Sequence, residues 1–329
     1  MDLKFLEGKK VFITGATGLI GGALIKRILE WNKSTGKRIN VAALIRNKEK
    51  AKKTFADDFA DIEFIVSDIK QLKPQNIGAD YVIHCASETA SKFFVDKPAE
   101  TIMLAIEGTK ATLDFALENK AQSFVYLSTM EVYGSPSTDE KIYEDHSTNI
   151  DTMNPRSSYP EGKRAAECLC TAYYKQYGLN TKVVRLTQTF GEGISYDDTR
   201  VFAEFTRCII ENKDIVLHTK GETKRNYLYV GDAVTAIFTV LEKGEPSQAY
   251  NAANENTYCS IYEMAQMVVQ EFANNNIKVI VKEEHDVLQF GYAPVLKMNL
   301  STEKLQKLSW RPKVGLKEIY KKMIMGVKS

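Results

Sequence analysis

The chain is predicted to fold as an α/β protein: a Rossmann-type, doubly wound parallel sheet with a smaller mixed α/β lobe toward the C-terminus. Three observations lead there. Apolar, β-branched runs alternate with helical patterns through the first half of the 329 residues. A glycine triplet sits between the first such run and the first helical pattern. After about residue 191 the alternation loosens into shorter runs.

Taken in order, "KKVFITG" reads as a strand, "LIGGALIKRILEWN" as a helix and "INVAALIR" as a strand. "KEKAKKTFA" (helix), "IEFIVSD" and "DYVIHCAS" (strands) follow, then the long helix "PAETIMLAIEGTKATLDFALEN" and the strand "SFVYLST". "YPEGKRAAECLCTAYYKQYG" is a second long helix and "KVVRLTQTFG" a sixth strand. Strands apolar on both faces belong in a parallel sheet covered on both sides. Beyond it come the helix "VFAEFTRCIIEN", the strand "DIVLHT", a turn-rich "KGETKRN", strand and helix in "YLYVGDAVTAIFTVLEK", and helical stretches "SIYEMAQMVVQEFANN" and "STEKLQKLSW". The expected division gives residues 1–190 plus about 224–246 to the dinucleotide-binding domain. About 191–223 plus 247–329 then form the substrate lobe.

Composition narrows the function. Hydrophobic content of 44%, charged content of 26% and a net charge of +2 are those of an ordinary globular protein and point to neither nucleic acid nor membrane as partner. The longest apolar runs are strand-length, and "MDLKFLEGKK" lacks a signal-peptide layout, so a cytoplasmic protein is expected. Cys85, Cys168, Cys170, Cys208 and Cys259 are odd in number and irregularly spaced, which argues against a disulfide framework. His84, His146, His218 and His285 are scattered singly, so no metal site is expected.

In "TGATGLIGG", Gly15, Gly18 and Gly21 follow a strand and open a helix, where a pyrophosphate needs close approach to backbone N–H groups. Thr17, Leu19 and Ile20 complete the phosphate loop. A tight turn with packing glycines is the competing explanation. At the end of the second strand, Arg46, Lys48 and Lys50 stand where NAD sites place an acid; they suit the 2′-phosphate of NADP, or equally a solvated helix start. The cofactor expected is therefore NADP or NAD.

"SSYPEGK" places Tyr159 and Lys163 four apart, on one face if the segment is helical. By itself such a pair is more often a solvated helix face. Pro160 falls in the first turn, where its missing N–H is no loss.

The glycine loop, "SDI" at 67–69, "HCAS" at 84–87, "LSTMEVYG" at 127–134, Tyr159 with Lys163, "RNYLYVGD" at 225–232 and "NLSTEKLQKLSWRP" at 299–312 together resemble the extended short-chain dehydrogenase/reductases, in their nucleotide-sugar epimerase/dehydratase branch. The resemblance spans nearly the whole chain. It implies that Asp68 and Ile69 flank the adenine, that Cys85, Ala86 and Ser87 line the dinucleotide, and that Arg225 binds the substrate pyrophosphate. Glu88, Ser128 and Gln188 are further expected substrate contacts. It implies too that Tyr159 is the general acid/base, that Lys163 lowers its pKa, and that Thr129 or Ser128 shares the proton of the sugar 4-hydroxyl as hydride leaves C4. An ammonium about 5 Å from a phenol is worth roughly 3 kcal/mol at an effective dielectric near 20, or about two pKa units.

The departures fall on the substrate side. Where dehydratases of this branch read Asp-Glu after the threonine, the chain has Met130-Glu131, and methionine cannot donate a proton to a leaving hydroxyl. Glu131 can abstract a C5 proton, orient the sugar, or be a carboxylate bonded to backbone. Ala105, Gln188, Phe190 and Glu192 also differ from the usual pattern, and Lys297 is the nearest substitute for an arginine missing around "FGYAPVLKMN". The leading expectation is a nucleotide-sugar 4-epimerase. The alternatives are a 4,6-dehydratase or decarboxylase using Glu131, an NADPH-dependent 4-keto-sugar reductase, and, last, a dinucleotide-binding regulator without turnover. The resemblance implies a homodimer that packs the helices at about 97–118 and 158–177 into a four-helix bundle, which the apolar first helix permits.

Overall fold

The computed structural model describes residues 1–89, 91–273, 277–282 and 295–328. His285, the start of "FGYAPVLKMN" and the last residues of "SIYEMAQMVVQEFANN" lie outside them. Seven parallel strands form the main sheet: β1 (Lys10–Thr14), β2 (Asn40–Ile45), β3 (Ile62–Val66), β4 (Tyr81–His84), β5 (Ser123–Thr129), β6 (Thr181–Leu186) and β10 (Gln248–Ala252). Their order is β10-β6-β5-β4-β1-β2-β3. The order reverses between β1 and β4, the position at whose carboxyl strand ends open α/β sheets bind ligands.

Helices cover both faces, as continuous apolar strands require. On one, α1 (Leu19–Thr35) and α7 (Val230–Lys243) bury Ile25, Ile28, Val234 and Ile237 together with Val11 and Ile13. On the other, α4 (Pro98–Glu118) and α5 (Ser158–Tyr177) bury Leu113, Phe115, Ala166, Cys170 and Tyr173 against Phe12, Phe124 and Tyr126. The short α2 (Lys48–Phe55) and α3 (Ser91–Asp96) follow β2 and β4.

The expected sixth strand is two strands. Past Leu186, the Thr187 N–H still reaches the Ala252 carbonyl at 3.2 Å, but its hydroxyl donates to the Asn226 carbonyl of a second sheet. β7 (Gln188–Phe190) then pairs with β9 (Lys224–Tyr229), which β11 (Asn254–Ser260) and β13 (Lys297–Met298) also flank. A third, two-stranded sheet joins β8 (Ile215–Leu217) to β12 (Val279–Val281). Around these pack α6 (Val201–Glu211), α8 (Ile261–Phe272) and α10 (Leu316–Lys328), over Phe190, Phe202, Tyr227, Met264 and Tyr320; α9 (Glu303–Lys307) places Leu305 in the core of the large sheet.

Two details differ from the expected division. β9 lies in the smaller sheet although residues 224–246 were given to the larger domain, and β10 lies in the larger sheet although 247–329 were given to the smaller lobe. "QAYNA" and "KRNYLY" are short and only partly apolar, so register with Lys182–Leu186 and with Gln188–Phe190 decides their sheet, not their own pattern.

At the amino end of β6, Lys182 is buried at 2% exposure. Its ammonium donates to Ser123 Oγ (2.9 Å) and to the Leu241 carbonyl near the end of α7 (3.0 Å), where the helix dipole favours a cation. Burial lowers its pKa from 10.5 to about 8. Between those values the unfolded chain holds a proton that the folded chain has released, so this group makes stability rise with pH from about 8 to 10.5. Chemical denaturation at pH 7.5 and 9.5 should show a smaller rise for Lys182→Met than for the parent chain; equal rises would contradict the assignment.

Candidate functional site

The glycine loop turns sharply after Thr14. Gly15 has φ +66°, and a Cβ there would lie 2.8 Å from the Ala86 nitrogen. A Cβ on Gly21 would lie 2.3 Å from the Gly15 carbonyl. Both glycines are therefore required by the loop's own packing, with Gly15 seated on the backbone after β4. Gly18 is different: it is exposed, donates to the Gly15 carbonyl at 2.9 Å and caps α1 with no side-chain bond. It leaves the Leu19 and Ile20 N–H groups at a bare helix start beside half-buried Thr17. Such a cradle fits a pyrophosphate, and a side chain at Gly18 would crowd it.

Opposite the loop stand Cys85, Ala86 and Ser87, all half-buried. The Ala86 N–H donates to Thr14 Oγ1 (3.1 Å), which also meets His84 Nδ1 at 2.7 Å, while His84 Nε2 meets Thr109 Oγ1 at 3.2 Å. Burial depresses the His84 pKa to about 3, so the imidazole is a neutral bridge between β1, β4 and α4. Burial also pushes the Cys85 thiol up, which leaves it unreactive. Asp68 caps a short 3-10 turn by accepting from the Lys70 N–H (2.9 Å), and buried Ile69 rests on Gly108 of α4. Arg46 is exposed just past β2, and Asn47 caps α2.

The second half of the site grows from β5. Ser128 Oγ is buried with no hydrogen-bond partner among the described residues. Thr129 ends the strand, and the 3-10 turn Met130–Tyr133 carries Glu131 beside it, its N–H 3.3 Å from Thr129 Oγ1. Glu131 pairs with Arg156 Nη1 at 2.8 Å. Tyr159 and Lys163 both stand on the first turns of α5, and the Tyr159 ring stacks on Phe94 of α3 at 4.1 Å and 9°.

The groups that act on the phenol oppose one another. Burial raises the Tyr159 pKa well above its usual value and the Glu131 charge raises it further; the Thr129 hydroxyl, Arg156 and Arg200 pull it down. Lys163 is directed elsewhere. Its ammonium donates to the Leu127 carbonyl (2.8 Å) and lies 4.7 Å from the Tyr126 ring centre, and burial lowers its own pKa to about 8.

On the substrate side, Gln188 opens β7 and Arg225 lies in β9 with a buried, unpartnered Nε among the described residues. Glu88 follows Ser87 and accepts from the Thr89 N–H at 2.9 Å. Met130 is 5% exposed and packs with Val132, Ile142 and Met298. Lys297 is bound to Asp139 at 2.6 Å, so it is a clasp between the loop after β5 and β13. Sequence reasoning missed Arg156, Arg200 and Phe94. The Asn154-Pro155 turn, ending four residues before Tyr159, was a usable signal for Arg156; Arg200 and Phe94 arrive from distant segments with no local signal.

Among the described residues no helix is long and apolar enough to cross a membrane, and no three His, Cys, Asp or Glu side chains gather as a metal site.

Residues 11–253 match the NAD dependent epimerase/dehydratase family. Human dTDP-D-glucose 4,6-dehydratase is 28% identical over 320 residues, covering 96% of this chain and 89% of that protein. UDP-glucuronic acid decarboxylase 1 of Danio rerio is 28% identical over 333 residues, covering 98% of this chain and 74% of that protein. Among solved structures, UDP-glucose 4-epimerase of Thermotoga maritima with UDP-glucose superimposes with a TM-score of 0.81 at 20% identity, covering 97% of this chain and 98% of that one. The dTDP-glucose 4,6-dehydratase DesIV of Streptomyces venezuelae, with NAD and TYD bound, gives 0.79 at 18% identity, with 97% of each chain covered.

Gly21→Ala should lower the melting temperature and weaken NAD+ binding at least ten-fold by calorimetry, because the methyl group meets the Gly15 carbonyl. Unchanged affinity would separate the loop from the cofactor.

Proposed function

The chain belongs to the NAD-dependent epimerase/dehydratase family, and from that premise we propose that it oxidises a nucleoside-diphosphate sugar transiently at C4 and ends as a 4-epimerase. A nicotinamide dinucleotide is the family's cofactor, and the chemistry it supplies when bound is hydride acceptance and return. The glycine loop with Cys85, Ala86 and Ser87 would hold it, and the exposed Arg46 with Lys48 and Lys50 favours a 2′-phosphate. Arg225, whose Nε has no partner among the described residues, Gln188, Glu88 and Ser128 are the residues assigned to the nucleotide sugar.

One observation carries the choice of reaction. The side chains after Thr129 offer no free acid: Met130 is packed in an apolar cluster and Glu131 is tied to Arg156 at 2.8 Å. Loss of a C6 hydroxyl as water needs a proton donor there. Moving the proton of the C4 hydroxyl needs only Thr129 and Tyr159, which this site brings together. Tyr159 takes the C4 hydroxyl proton as a phenolate and returns it as a phenol; burial and the Glu131 charge oppose the ionised form, while the Thr129 hydroxyl, Arg156 and Arg200 favour it. The Phe94 ring of α3 stacks on Tyr159 and covers one face of the half-buried phenol ring.

A second reading, elimination or decarboxylation with Glu131 as base, has in its favour the 28% identity to a dehydratase and to a decarboxylase. Two copies would associate through α4 and α5, the latter bearing exposed Tyr174 and Tyr177.

Purified protein with NAD+ or NADP+ should convert one member of a panel of nucleotide sugars to a product of unchanged mass with C4 inverted. Loss of water or carbon dioxide establishes the second reading, and stoichiometric NADPH consumption marks a reductase. Tyr159→Phe should lower turnover by roughly 10²–10⁴-fold with substrate binding retained; retained turnover would remove the phenol from the chemistry.

A further inference from the structure

Tyr159 is the second residue of α5, and the helix that carries it is tightly seated. A Cβ on Gly162, one turn further on, would lie 3.1 Å from the Ala105 Cβ and 3.2 Å from the Ile102 Cα of α4. That packing fixes the backbone at Tyr159. It does not aim the ring, because a tyrosine ring turns about χ2 in a broad well. A contact on the face of the ring is needed to hold its plane.

Phe94 makes that contact, with ring centres 4.1 Å apart and the planes 9° from parallel. A similar pair, Phe190 with Phe202 at 4.4 Å and 6°, lies inside the core of the smaller lobe. Phe94 belongs to none of the apolar cores among the described residues, yet it is only 2% exposed. Around it on the short α3, Lys92, Val95 and Asp96 are exposed, and Phe93 meets the Lys97 ammonium at 5.7 Å. The helix therefore buries one aromatic ring, and buries it on the phenol. Ser158 adds a second tie, its hydroxyl donating to the Phe94 carbonyl at 3.5 Å.

We infer that Phe94 is a positioning residue for proton transfer: its stacked ring holds the plane of the Tyr159 ring, so that the phenol hydroxyl keeps one direction. The inference rests on Tyr159 being the proton carrier. An aromatic pair has preferred ring geometry and is worth more than its buried area alone, which an aliphatic neighbour of similar size does not reproduce. Proton transfer depends steeply on the orientation of the group that carries it, so a ring left free to turn loses rate even where substrate still binds. α3 begins four residues after Ser87, and one short stretch of chain thus supplies both the wall assigned to the dinucleotide and the ring that steadies the phenol.

The test compares Phe94→Leu, which keeps an apolar side chain without the stack, with Phe94→Tyr, which keeps the stack. On the sugar that reacts in the panel, with saturating NAD+ or NADP+, Phe94→Leu should lower kcat about ten-fold at unchanged KM, and Phe94→Tyr should restore most of it. Added to Tyr159→Phe, Phe94→Leu should cost nothing further, because no hydroxyl is left to aim. NMR of ring-labelled tyrosine in the full chain gives a second readout, with Tyr159 assigned by loss of its signal in Tyr159→Phe. The Phe94 ring current should shift that signal upfield in the parent chain and in Phe94→Tyr, and Phe94→Leu should remove the shift. If Phe94→Leu does not fold, Phe94→Met carries the same comparison. An unchanged kcat, a KM that rises while kcat holds, an equal further loss in the Tyr159→Phe background, or ring signals that coincide in all variants overturns the inference. Failure of the epimerase reading shows separately, as a product of changed mass or no conversion in the panel while the ring signals still differ.

Discussion

The contact on which the site depends is between backbone and backbone. Gly15 sits so close to the Cys85–Ala86 segment that no side chain fits between them. It is set there by Thr14, which accepts from the Ala86 N–H and meets His84, which in turn reaches Thr109 of α4. The carboxyl ends of β1 and β4 are therefore locked at the point where the strand order reverses. The neutral His84 matters here, since an imidazolium buried among hydroxyls would be costly and burial keeps it uncharged. The crevice between those strands is a product of this lock.

The other wall is held by a polar network. Arg185 of β6 joins Glu167 of α5 to Tyr133 at the end of the 3-10 turn, and Tyr133 donates to Asn251 of β10 at 2.6 Å. Asn251 also donates to the Ile142 and Ser301 carbonyls, so the turn carrying Glu131 is anchored to the sheet edge and to the C-terminal segment. A satisfied buried network of this kind specifies one geometry. Among the described residues a few buried groups have no hydrogen-bond partner, including Ser128 Oγ and the Nε atoms of Arg156 and Arg225. Those are the atoms a ligand could satisfy.

Electrostatics then separates residues that the chain places together. Tyr159 and Lys163 share a helix and a face, yet the lysine is drawn to the Leu127 carbonyl and the Tyr126 ring, while the phenol answers to Glu131 and Arg156. Low polarity around the phenol favours its protonated form, and the charge that opposes this comes from turns on either side of the crevice.

Strong local patterns were legible from the chain itself. Apolar strands buried on both faces, capped helices and a glycine loop where a Cβ cannot fit all act within a few residues, so the parallel sheet, the two long helices and the phosphate cradle could be read in order. So could the identities of Thr129, Tyr159 and Lys163 as candidates. Long-range register decided the rest. "KVVRLTQTFG" divides because Thr187 bonds two sheets, and β10 joins the large sheet only because β6 offers it an open edge. Where the Lys163 ammonium ends, at the Leu127 carbonyl and the Tyr126 ring, was likewise undecidable from spacing, because a helix fixes which residues share a face but not where a long side chain ends. That depends on the carbonyls, rings and carboxylates other elements bring, and only the packed fold brings them.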